Sequence, residues 1–574
     1  MSSKNTLSLS YKGFGGIDGR KSHSGGKNIY DINNLRITED GTLEKRCGYY
    51  KIISATDMIR DVWGGRINGK YKCYYIVGSS VYLADIIRGK STLIGTLSEA
   101  SSYVKFLFYM DSLYLYTQHG FYKVSEDSLS VVLGYVPLYG KNWGCNYPGT
   151  INEPLNILNG YARISYKIPE VHSSLLATGR PILRIISVYQ NGILLPEDRY
   201  YKDPVYNGVN VSKLSEGDEI ILTVAFDIEE NKYKFLSSSN IKVIGGINDT
   251  RLFLWGNTAG DPMYASSFVK PSDSKASSHY FSECSSIYFP ENYEFTVGDG
   301  RYSIKAIEKH YDRLLIFTEG NTWMINASSF PSESAPITTI NSSIGCTSSM
   351  GVSSIGNDPV TIYKNGIYRW TSNTDKPDEC NAYCISGEIS HLLSRNFYKN
   401  AKVFKKVDTN ELWVTEQEQG GNIFIYNIDK KTWVRYSNVS ACDFFGANGN
   451  IGFFYNKIIY SFSDSFYDDE GENASIYGIE TSITIKNVTF GTLKKKKLLE
   501  CVTSGESHSG NINFTIKPNT GNDIQFSITQ NSQHSAYTKR INKGRFVFIK
   551  EMIIQTSPED SARHKIHDLE FTAK

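Results

Sequence analysis

The stretch Asn28-Ile29-Tyr30-Asp31-Ile32-Asn33-Asn34-Leu35-Arg36-Ile37, followed by Asp40-Gly41-Thr42-Leu43-Glu44-Lys45-Arg46-Cys47-Gly48-Tyr49, reads as a strand, a turn and a second strand. Asp40-Gly41 supplies the positive φ angles expected of a tight hairpin. Leu43, Lys45 and Cys47 alternate with Thr42, Glu44 and Arg46, which predicts a second strand with two unlike faces. The glycine-rich lead before it, Lys12-Gly13-Phe14-Gly15-Gly16, places residues 1–27 in a flexible arm.

The 574 residues are too many for one hydrophobic core, so two to four domains are expected. Forty tyrosines, 48 glycines and 28 phenylalanines favour strands and tight turns, and 16 prolines are too few for a disordered linker protein. The expected class is all-β. No apolar run reaches the ~18 residues of a membrane-spanning helix, and Met1-Ser2-Ser3-Lys4-Asn5 lacks the pattern of a signal peptide. A net charge of +2 gives no global field for a polyanion, so any nucleic acid is held locally. The nine scattered cysteines read as reduced thiols; Cys380-Asn-Ala-Tyr-Cys384 lacks the spacing and the second pair of a zinc knuckle.

Short strands recur from Asp61 to Val136, punctuated by Gly78-Ser79, Asp111 and His119-Gly120, as antiparallel strands of a propeller blade do. Pro137, Pro148 and Pro154 break the pattern and read as a linker. The texture then changes, through Ile182-Leu183-Arg184-Ile185-Ile186-Ser187-Val188-Tyr189 and Gly217-Asp218-Glu219-Ile220-Ile221-Leu222-Thr223-Val224. It returns at Ile241 to Ile247. The predicted organisation is a β-propeller over 28–150 and 237–465, an inserted β-sandwich over 151–236 and a carboxy-terminal β-sandwich over 466–574.

The opening pattern, Gly41-x-Leu43-x-x-Arg46-x-Gly48-Tyr49 after an Asn-rich strand, resembles the start of phage tail-nozzle and tail-hub proteins. The resemblance continues through Arg251-Leu252-Phe253-Leu254-Trp255-Gly256-Asn257, Tyr288-Phe289-Pro290, Ile304-Lys305-Ala306-Ile307 and Leu314-Leu315-Ile316-Phe317 with Trp323. Ile423 to Trp433, a hydrophobic strand, a turn and Thr432-Trp433, matches the way kelch-type blades pass between strands. The resemblance implies a structural virion protein rather than an enzyme, made in the host bacterial cytoplasm. It implies a homo-oligomeric ring, six-fold, that contacts the head-tail adaptor and other tail proteins, retains packaged DNA and forms part of the ejection channel. A tail-tip or receptor-binding protein would use the same modules, and a glycan-active propeller enzyme the same fold.

Catalytic signatures are sparse, and no cofactor or metal is expected. Gly15-Gly16-Ile17-Asp18-Gly19-Arg20-Lys21-Ser22 only approximates a phosphate loop and reads as a flexible loop, because no helix-forming sequence follows. The acidic run from Asp464 to Glu472 reads as a solvated loop. His564 and His567 lack an Asp or Cys at metal spacing. The candidate contact for DNA or a partner is Lys494, Lys495, Lys496 and Lys497, with Lys486 nearby; Lys539-Arg540 and Lys543-Gly544-Arg545 belong either to the same face or to an interface with a neighbour. A four-lysine turn is also what a solvated surface carries.

Overall fold

The computed structural model describes all residues except 1–5, 21–26, 246–249, 257–261, 268–286, 299, 327–336, 350, 365, 373–379, 395, 464, 472, 474, 508–509, 531–532, 534 and 557–562. Residues 1–5, Lys21, Ser22, Ile247, Asn257, Asp464 and Glu472, quoted above, and Cys284, one of the nine cysteines, lie outside the described residues. With 57% of the described residues in strands and 4% in helices, the chain is all-β, as expected. It divides into two compact units: Met1–Gly78, Tyr82–Leu93 and Ile344–Lys574 form one, Ser79–Val81 and Ile94–Ser343 the other.

In the first unit, antiparallel groups of four strands follow one another. Ile59–Ile67, Lys70–Val77, Ser80–Asp85 and Lys90–Thr96 form one sheet; Val352–Ile355, Asp358–Tyr363, Gly366–Ser372 and Cys380–Cys384 form another. Lys402–Lys406, Glu411–Thr415, Ile423–Asn427 and Thr432–Tyr436 make a third group, with Asn427 opposite Thr432 across the expected turn. Asp443–Ala447, Asn450–Tyr455 and Ile458–Phe462 make a fourth, whose fourth strand, Tyr49–Ser54, comes from the beginning of the chain and is followed in the same sheet by Asp468–Glu470 and Ile476–Gly478. The first strands of these groups are neighbours in the order Val352–Ile355, Lys402–Lys406, Asp443–Ala447, Ile59–Ile67. The last approach needs Gly64: a Cβ there would lie 2.3 Å from the Gly446 carbonyl oxygen, to which Tyr71 donates at 2.7 Å.

Both chain ends build the rest of this unit. One sheet runs Leu35–Ile37, Leu43–Lys45, His564–Ala573, Lys496–Ser507, Ser535–Phe546, and Leu7–Lys12 also pairs with His564–Ala573. Facing it across a common apolar core are Asp31–Asn33, Ser482–Val488, Ile549–Thr556, Asn511–Pro518 and Ile524–Thr529. Several expectations are corrected here. The opening hairpin does not begin a repeating four-strand group but belongs to this terminal module. Residues 7–20 are not a flexible arm: Tyr11 is fully buried, and Ile17 donates its amide to the Trp433 carbonyl at 3.0 Å. The turn has a positive φ at Gly41 alone (84°), where Gly41 donates to the Thr38 carbonyl, so it is a type I turn closed by a glycine bulge. The second strand has no solvated face, because Leu43, Glu44 and Lys45 are all buried.

The acidic run is also corrected. Asp468–Glu470 is a strand, and Asp468 and Asp469 are buried. Asp469 is there because Arg46 is fully buried and needs a counter-charge: Arg46 Nη1 donates to Asp469 Oδ1 at 2.8 Å, Nη2 to Oδ2, and Nε to Asn34 Oδ1 at 2.9 Å. Burial alone would lower the Arg46 pKa, but the Asp469 carboxylate holds it above its ordinary value. Gly48 sits where a Cβ would lie 1.7 Å from the Asp468 carbonyl oxygen, so this motif glycine admits the acidic strand.

In the second unit, three four-stranded antiparallel sheets begin with Val104–Tyr109, Asn240–Gly245 and Ile304–His310, and these first strands are again neighbours in succession. Between the first and second sheets lies a separate β-module. Leu138–Trp143, Tyr161–Lys167, Glu219–Phe226, Ile182–Gln190 and Ile193–Leu194 form one sheet, and Leu175–Ala177, Gly208–Val211 and Tyr200–Lys202 a second on the same core. The stretch read as a linker already belongs to it, since Leu138–Trp143 pairs in parallel with Tyr161–Lys167.

Two outcomes are expected. Arg46→Ala leaves the Asp469 carboxylate buried without its partner and lowers unfolding stability by about 3–5 kcal/mol in urea titration; Arg88→Ala, at an exposed pair with Asp85, changes it by less than about 0.5 kcal/mol. Hydrogen bonds from Thr38 and Thr42 hold Asp40 at a pKa of about 2. The carboxylate's support of the turn is therefore complete above about pH 4 and fades as pH falls towards 2, which amide exchange at Gly41 and Thr42 follows and Asp40→Ala abolishes.

Candidate nucleic-acid interface

The lysine run falls where the chain enters Lys496–Ser507, and the structure splits it. Lys494, Lys495 and Lys497 are exposed. Lys496 is buried: its ammonium donates back to the carbonyls of Thr492 and Lys494, and burial lowers its pKa. It closes the turn that presents its neighbours and is withdrawn from any partner. Lys486 is also committed, lying 3.6 Å from Glu551 and 3.9 Å above the Tyr30 ring in the other sheet of the module.

Strand pairing adds the second half of the site. Ser535–Phe546 is the outermost strand of its sheet and runs antiparallel to Lys496–Ser507, with Lys496 opposite Phe546, Leu498 opposite Lys543 and Glu500 opposite Arg540. Two steps on one strand match three on the other, so the edge strand bulges, and Asn542 (φ 49°) and Gly544 (φ 79°) take left-handed conformations. Tyr537 and Ile541 pack on the core, while Lys539, Arg540, Lys543 and Arg545 are exposed. None of these four, nor Lys494, Lys495 or Lys497, makes an ion pair among the described residues. Glu500 is the one carboxylate in register with them, and it is half-buried.

Opposite residues 497–501, the bulged stretch from Lys539 to Arg545 extends roughly 14 Å, a length over which each strand of duplex DNA presents about four phosphates. Exposed cations on that line can neutralise a phosphate backbone, and phosphate contacts carry no sequence information, so the arrangement supports contact without sequence preference. Lysines on an edge strand also repel the edges of other sheets. Salt dependence separates the two roles, because only counterion release from a polyanion gives a steep slope.

The other sequence candidates are structural. His564 is buried and shares a hydrogen bond with the Thr481 hydroxyl, and His567 bonds to Thr42. Among the described residues no three His, Cys, Asp or Glu side chains are grouped to hold a metal ion, and no helix is long and apolar enough to cross a membrane. Cys47, Cys73, Cys145, Cys346, Cys384, Cys442 and Cys501 are free thiols.

No protein-family profile matches the chain, and no curated protein matches it. Solved structures give weak likenesses. A BBS1 amino-terminal domain in complex with ARL6DN is 7% identical over 73% of this chain and 98% of that one, with a TM-score of 0.36. The AfRom2 CNH domain is 7% identical over 73% and 99%, at 0.35. A glycoside hydrolase family 43 arabinoxylan arabinofuranohydrolase from Bacillus subtilis is 12% identical over 58% and 78%, at 0.18. These scores are too low to assign a shared fold.

Replacing Lys539, Arg540, Lys543 and Arg545 together by alanine is expected to weaken binding to a random-sequence DNA duplex and to flatten the plot of log affinity against log salt by about 3.6. Lys496→Met leaves that slope unchanged because its ammonium is already spent inside the turn. An unchanged slope in the fourfold variant would show that these charges only protect the edge.

Proposed function

We propose that this chain is a structural subunit of a bacteriophage tail, of the nozzle or hub type, whose four-strand groups are blades of a β-propeller. The observation that carries the reading is the order of parts. Groups of four antiparallel strands, with neighbouring first strands, are interrupted by one β-module and followed by another. The fourth group of the first unit borrows its fourth strand, Tyr49–Ser54, from the beginning of the chain. A strand exchanged between the two ends of a repeat array is a means of fastening a ring of blades. It also gives a physical reason for the Arg46, Gly48 and Tyr49 pattern on which the family resemblance begins.

In this reading the chain is a scaffold and not an enzyme. It assembles with copies of itself, six to a ring, and meets the head-tail adaptor and other tail proteins through its two β-modules. Ring symmetry repeats any cation facing the axis, so the short basic edge becomes a collar. With a net charge of only +2 per chain, that collar would hold packaged DNA without gripping it along the whole channel, and genome exit requires such low friction.

Light scattering on the purified chain, together with a density map of the virion that carries it, tests the proposal. The expected result is a ring of six copies on the tail axis with a lumen wide enough for duplex DNA. A monomer at the periphery of the particle would refute it.

A further inference from the structure

Between the strand group Asp443–Phe462, the strand Asp468–Glu470 and the terminal module, the first unit holds a cleft of about 820 Å³. We propose that this cleft binds a neutral oligosaccharide. Its size falls within the range of small-ligand sites, and its chemistry is unlike that of the basic edge. Five carboxamide side chains line it besides Asn34, which is spent on Arg46, Ser437 and the Glu480 carbonyl: Asn33, Gln419, Asn438, Asn456 and Gln555. A carboxamide offers a donor and an acceptor side by side, as a sugar hydroxyl does. Asn33 Oδ1 is buried and has no hydrogen-bond partner.

The lining charges favour a neutral ligand. Arg46 and Asp469 are spent on each other, and the remaining carboxylate, Glu480, accepts a hydrogen bond from Gln555 at 2.7 Å. Nothing cationic is left over to attract a phosphate or a sulfate. Tyrosine supplies the apolar part. Tyr49, Tyr455, Tyr460 and Tyr477 all line the cleft. Tyr477 is 59% exposed, and its ring lies over Gly471, where a Cβ would lie 2.4 Å from the ring. An aromatic ring left open to solvent is a platform for the C–H face of a pyranose.

Labelled full-length protein is applied to an array of neutral and acidic oligosaccharides, and the strongest binder is then titrated by calorimetry. The expected result is binding to at least one neutral glycan, weakened about tenfold by Tyr477→Ala and by Gln419→Ala, both at exposed positions that leave the Arg46 pair intact. Tyr50→Ala, at an exposed tyrosine outside the cleft, leaves the affinity unchanged. Circular dichroism melting of each variant separates loss of binding from loss of fold. Binding to no neutral glycan, preference for acidic glycans, or affinity indifferent to both cleft variants in folded protein would each overturn the proposal.

Discussion

The first unit depends on a buried guanidinium. Taking Arg46 out of water costs several kcal/mol, which only a paired carboxylate and near-complete hydrogen bonding can offset. The fold supplies both from distant parts of the chain. Asp469 takes two N–H groups, the Cys47 carbonyl a third at 3.0 Å, and Asn34 the Nε–H. Asn34 is held in turn at φ 56°, with its amide on the Arg435 carbonyl and its side chain on Ser437 and the Glu480 carbonyl. One side chain thereby ties the amino-terminal hairpin to segments near 435, 469 and 480. The strand Tyr49–Ser54, which completes the neighbouring four-strand group, starts three residues after it.

Local sequence showed the strands but not where they go. The hairpin around Gly41, the turn between Asn427 and Thr432, and the punctuation of the four-strand groups are all set by neighbouring residues, and propensity read them. The partner of the hairpin is more than 500 residues away, in His564–Ala573, and nothing in either segment names the other. For the same reason Asp468 and Asp469 read as a solvated loop: a carboxylate's destiny depends on a counter-ion 423 residues distant.

The basic site shows the same division. Four consecutive lysines were visible, but the backbone direction at the start of Lys496–Ser507 decides which side chains point outward, so Lys496 is spent on its own turn. The charges that make the patch extended come from pairing with Ser535–Phe546, a long-range event. Composition was a poor guide to it, since a net charge of +2 over the whole chain hides a local excess on one edge.

The cleft and the buried pair are physically one feature, because Arg46 and Asp469 form part of its lining. Opening the contact between the hairpin and the acidic strand would destroy the cleft, so any ligand seated there favours the closed arrangement. The gain follows mass action: at a hundred times its dissociation constant, a ligand bound only by the closed form adds about 2.7 kcal/mol. That is of the same order as the cost of breaking a buried ion pair. A weak ligand at high local concentration, the usual condition at a carbohydrate-coated surface, would therefore bear on the fastening of the chain ends as strongly as a substitution in the pair itself.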